Sequence, residues 1–183
     1  MRNLATLVTA VLVAIGLAGT ALAGPPRTII TGGGIVQNNN SGAGELLAVG
    51  GFVAQATGPA ANGSTPARGQ IQAKSTLASD PLNPLASLHG KVVCIANLGD
   101  GTAFGGTSAD VWEVRFQVTH VGGPFNPLQV GNYGSLFVQD NGTPSTLDMA
   151  DESFAKPGES GCGVDGPIGL EPVLAGNFTV HTP

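Results

Sequence analysis

Four acids, Asp140, Asp148, Asp151 and Glu152, fall within thirteen positions of a chain that is only 10% charged. With the side-chain carbonyl of Asn141 they offer the hard oxygen ligands that Ca²⁺ prefers, so calcium is the first chemistry this sequence suggests. The spacing is not that of an EF-hand loop, and no calcium-binding repeat is present. The competing reading is a set of solvated turn acids, because Asp and Asn favour turns for local hydrogen-bonding reasons alone. Asp140-Asn141-Gly142 reads as such a turn, with Asn-Gly supplying positive φ angles.

Catalytic signatures are weaker. Gly158-Glu159-Ser160-Gly161-Cys162 approaches a nucleophile elbow but ends in cysteine where glycine is needed. His89, His120 and His181 each fall at an expected strand end, without an adjacent carboxylate to activate them. Glu113 and Asp140 form a glycosidase-type carboxylate pair only if the fold brings them together. No catalytic residue is assigned on these patterns, and no cofactor is expected apart from calcium.

The chain carries two cysteines, Cys94 and Cys162, 68 positions apart. His89 lies five positions before Cys94, which matches no compact zinc spacing, and there is no C-x-x-C. In an exported protein an even count reads as a disulfide, here Cys94–Cys162.

Export is expected from the first 23 residues. Arg2 forms a short basic region, Leu4 to Leu17 is mostly apolar, and Ala21-Leu22-Ala23 is an A-x-A cleavage site before Gly24. Removing 23 of 183 residues leaves 160, a suitable size for one domain, 24–183, with one core. One of the seven Lys and Arg leaves with the leader, so six bases face twelve acids, a formal charge of −6. That balance argues against nucleic acid as a partner, which needs clustered positive charge. After cleavage no segment is apolar enough for a membrane span.

The elements that must position these residues read as strands. Asp110 to His120 alternates most clearly, with Trp112, Val114, Phe116 and Val118 on one face and Glu113, Arg115, Gln117 and Thr119 on the other. Leu136 and Val138 likewise oppose Phe137 and Gln139. Further strands are expected over 28–37, 45–55, 68–74, 89–96 and 173–181, with a weak return strand at 102–107. The acidic segment 146–152 reads as less strand-like. With 29 glycines, 13 prolines and 42% hydrophobic residues, the chain is expected to be all-β: an antiparallel β-barrel or β-sandwich of about eight short strands with one disulfide. Trp112, the single tryptophan, is assigned to the core.

Several stretches share a pattern. They are Gly32-Gly33-Gly34-Ile35, His89-Gly90-Lys91-Val92-Val93-Cys94-Ile95, Val138-Gln139-Asp140-Asn141-Gly142 with Pro144 and Asp148, and Gly176-Asn177-Phe178-Thr179-Val180-His181. Together they resemble the post-COAP domain family, small exported all-β modules found mainly in bacteria. Ser145 departs from that pattern, which often has glycine there. The family has no established reaction, so the resemblance implies fold and compartment. The expectation is a secreted, bacterial, non-catalytic extracellular module, binding or structural, whose partner is an unknown ligand or protein. The alternatives are a calcium-stabilised surface module and a carboxylate-based hydrolase.

Overall fold

The computed structural model describes residues 27–38, 45–57, 63–80, 82–123, 129–142, 147–154, 158, 160–163 and 166–183. The expected leader, 1–23, and Pro144 and Ser145 lie outside these residues. Eight strands follow one another: β1 (Ile29–Asn38), β2 (Glu45–Ala56), β3 (Gly63–Leu77), β4 (Ala86–Asp100), β5 (Asp110–Gly122), β6 (Tyr133–Gln139), β7 (Met149–Phe154) and β8 (Glu171–His181). Each pairs antiparallel with the next, and β8 returns to β1 to close a barrel. Closure removes the exposed edges that an open sheet would present. Among the described residues no helix is long and apolar enough to cross a membrane.

Alternation decides what fills the barrel. On β5, Trp112, Val114, Phe116 and Val118 point inward and are buried, meeting Ile71 of β3, Ile95 of β4, Leu136 of β6 and Phe178 of β8 in one apolar cluster. Eight strands leave an interior just wide enough for side chains to fill, and this cluster fills its middle. Glycines let the wall bend. Gly32 has φ +145° and Gly69 φ +154°; a Cβ on them would stand 2.4 Å from the Asn177 carbonyl oxygen and 1.8 Å from that of Val53. Register shifts accompany both, between Gly32 and Gly34 and between Pro66 and Gln70. The glycine run of β1 is thus a close strand–strand approach at a bulge.

The outward face of β5 is buried as well. Glu113 and Arg115 are fully inaccessible, as are Phe137 and Gln139 of β6. Gln139 lies under the 101–109 loop, its Nε2 donating to the Thr107 carbonyl at 3.0 Å, while residues 160–163 and 166–170 supply further cover to this face. Cys162 is bonded to Cys94, with 6.0 Å between Cα atoms. Leu170 packs on Val111 and Phe137. Glu113 then ties the segment down. Its Oε1 accepts from Arg115 Nη1 at 2.9 Å and from Ser135 Oγ at 2.6 Å. Its Oε2 accepts from the Gly163 N–H at 2.6 Å.

Two elements differ from the sequence reading. The weak strand expected at 102–107 is instead a 3₁₀ turn, Gly101–Phe104, followed by loop. Asp100 starts that turn: its carboxylate accepts from the N–H of Thr102 at 2.8 Å and from Thr102 Oγ1 at 2.7 Å. Those two bonds, the hydroxyl's first, hold the Asp100 carboxyl below its ordinary pKa. The acidic segment 146–152, by contrast, contributes most of β7. Its poor strand propensity is overridden because Asp151 finds tertiary donors in the covering segment.

Candidate binding site at the barrel mouth

The acids singled out in the sequence act first on the backbone. β7 and β8 pair through only Met149↔Pro172 and Ala150↔Glu171. Beyond that, the Asp148 carbonyl oxygen accepts from the Val173 N–H at 2.8 Å. Further along β8 carboxylates take the place of a neighbouring strand. Asp148 Oδ2 accepts from the Phe178 N–H at 2.7 Å, and Asp140 Oδ2 from the Val180 N–H at 2.9 Å. Phe178 and Val180 are alternate residues, so both N–H groups leave the same edge of β8. Without Asp148 the Phe178 N–H would be an unsatisfied buried donor.

The remaining carboxylate oxygens are engaged too. Asp140 Oδ1 accepts from the Gly142 N–H at 2.8 Å, and Asp148 Oδ1 from the Asn141 N–H at 3.1 Å. Asn141 donates from Nδ2 to the Leu147 carbonyl at 2.6 Å, and its side-chain oxygen accepts from Thr107 Oγ1. The turn has one positive φ, at Gly142 (+68°); Asn141 does not share it, and the Asp140 side chain supplies the turn bond instead.

Asp151 sits apart, on the covered outer wall. Its Oδ2 accepts from the N–H groups of Ile168 at 2.8 Å and Gly169 at 3.4 Å, its Oδ1 from that of Glu152 at 2.8 Å. Burial raises the Asp151 pKa above its ordinary value, against the lowering effect of those three donors; the Glu171 carboxylate adds to the rise. Glu152, half-buried, follows on the opposite face of β7. The structure therefore gathers Asp140, Asn141 and Asp148 along β8 and separates Asp151 and Glu152 from them. Among the described residues, no group of three or more His, Cys, Asp or Glu is placed to hold a metal ion.

The carboxylate pair considered for glycoside hydrolysis is also divided. Glu113 faces the outer wall and is bonded to Arg115, whereas Asp140 reaches the barrel mouth. Ser160 is exposed in the covering segment.

The mouth is where polar groups converge. At the end where β1, β3, β5 and β7 begin, Thr28, Asn97, Asp110, Trp112, Asp140 and Val180 line a cavity of about 490 Å³, rimmed by Thr182 and Pro183. On β5, Asp110 and Trp112 share the inward face, so this cavity is the unfilled top of the barrel interior. Trp112 is only 6% exposed and belongs to the core, yet it contributes to the lining. Asn97 Nδ2 donates to Asp110 Oδ2 at 2.7 Å, and Asn97 Oδ1 accepts from the Gly99 N–H at 2.7 Å. Thr28 Oγ1 is buried without a hydrogen-bond partner among the described residues. A buried hydroxyl in that state carries a desolvation cost that an incoming polar group would relieve.

Thr28, Asn97 and Asp110 carried no sequence signal, since nothing local distinguishes an inward-facing polar residue at a strand end from an ordinary turn residue. No family model, curated protein or solved structure matches this chain.

Proposed function

We propose that this protein is a secreted, non-catalytic binding module whose barrel mouth takes a small hydroxyl-rich ligand, such as one saccharide unit. The observation that carries this reading is the cavity over a packed core, where carboxylate, amide and hydroxyl groups converge beside Trp112. Hydroxyl-rich ligands require acceptors and donors at close spacing with an apolar ring nearby, and Asp110, Asn97, Thr28 and Trp112 are of those types. The apolar interior below favours a ligand held at the rim over one enclosed in the barrel. Export is supported by the leader pattern and by a disulfide, which persists in oxidising compartments. The resemblance to the post-COAP domain family rests on the sequence motifs.

The test is a titration of the isotopically labelled protein with a panel of mono- and oligosaccharides, followed by amide NMR. Saturable shifts clustered at Thr28, Asn97, Asp110 and Thr182, lost in Asp110→Ala, are expected. Shifts that avoid the mouth, or none with any sugar, would leave the purely structural role as the better reading.

A further inference from the structure

We propose that His89 and His120 form a two-imidazole site for a divalent transition-metal ion on the outer wall, toward the end opposite the mouth. His89 on β4 stands directly across from His120 on β5, and both side chains are exposed. Their ring centroids are 5.6 Å apart, with the rings nearly perpendicular. Strict alternation from the inward Val118 would leave Thr119 outward and turn His120 inward. The register shift beside His89 pairs Gly90 with Val118 and His89 with His120, so Thr119 is the extra residue of a bulge. Thr119 Oγ1 donates to the His89 carbonyl at 3.1 Å, which fixes the bulge that brings the second imidazole to the outer face.

Imidazole nitrogen is a preferred ligand of Cu²⁺, Ni²⁺ and Zn²⁺. With metal–nitrogen bonds of about 2.1 Å and roughly 1.1 Å from nitrogen to ring centre, one ion can bridge two imidazoles whose centroids are up to about 6.4 Å apart. That limit is for nitrogens in line; at 5.6 Å the N–metal–N angle is about 120°, and small turns of the two exposed side chains bring the rings to about 4.5 Å, the spacing of adjacent positions around Cu²⁺. Gln72 of β3, paired with His89 and exposed, places an amide oxygen on the same outer wall, and water completes the shell. Lys91, the next outward residue of β4, is the opposing feature, a like charge to the incoming cation. Cu²⁺ is the ion expected to bind most tightly, by the usual order of divalent affinities.

The experiment uses the untagged protein and CuSO₄ alone. Calorimetry gives the affinity, and electron paramagnetic resonance counts nitrogen ligands from the hyperfine pattern. The expected result is one Cu²⁺ per chain with two equivalent nitrogens, and affinity weakened about tenfold or more in both His89→Ala and His120→Ala. His181→Ala, at the far end of β8, should bind as the parent does. Both histidines are exposed, so the variants should fold, and circular dichroism checks it. A one-nitrogen signal, or an affinity that only one of the two variants changes, would overturn the two-imidazole site.

Discussion

Replacing Glu113 by alanine tests the outer wall most sharply. The side chain is fully buried beside an equally buried Arg115, and its two oxygens accept from Arg115, Ser135 and Gly163. Removing one member of a buried ion pair costs about 3–5 kcal/mol, because the surviving charge stays desolvated. The Ser135 hydroxyl loses its acceptor in the interior; Gly163 is exposed, so water can reach its N–H and lessen that part. For a domain of this size each kcal/mol moves the thermal midpoint by about 2–4 °C, so Glu113→Ala should melt roughly 6–20 °C lower. Glu113→Gln keeps the shape and one acceptor and should fall between the two. The assay is reversible unfolding in urea and by heat, with the disulfide intact. Glu113 and Cys162 hold the same segment, so the alanine cost should shrink by about 1 kcal/mol or more without the disulfide. An alanine variant within about 0.5 kcal/mol of the parent would refute the buried hub. So would full additivity with loss of the disulfide.

Two further outcomes can be checked. Closing a 68-residue separation contributes up to about 4 kcal/mol in the chain-entropy picture, so Cys94→Ala/Cys162→Ala should unfold at markedly lower urea; an unchanged midpoint would refute it. Burial raises the folded-state pKa of Asp151, so the native protein binds more protons than the unfolded chain between 3.8 and the raised value. Parent stability relative to Asp151→Asn should therefore fall as pH rises through that window, read as the difference in melting midpoint from pH 3 to 7. A difference that grows in the parent's favour would mean that the backbone donors outweigh burial.

Much of the wall was legible in the sequence. The alternation of β5 marks Trp112, Val114, Phe116 and Val118 as one face whatever they pack against, since successive side chains of a strand diverge. The pairing of Cys94 with Cys162 follows from there being two cysteines in the sequence and no others to compete for them. What the outer face of β5 does was not legible. Glu113 and Arg115 have the look of a wet face, and only the covering segment, brought in by Cys162 and Leu170, makes them an interior pair. Asp148 and Asp140 likewise read as turn acids or calcium ligands, because the β8 N–H groups they bond lie 30 and 40 positions away.

Local periodicity and composition thus determined the strand class and the inward faces of the clearest strands, which depend on neighbours in the chain, and the cysteine pair, which depends only on there being two cysteines. Closure of β8 onto β1 was decided by tertiary structure, as were the burial of Glu113 and Arg115 and the meeting of Thr28, Asn97, Asp110 and Asp140 at one mouth. The first and last of these depend on which strand ends lie side by side, and the burial of Glu113 and Arg115 on the segment that Cys162 and Leu170 hold over the wall. Register between distant strands is set by the summed packing of the whole barrel, and no short stretch of sequence encodes it.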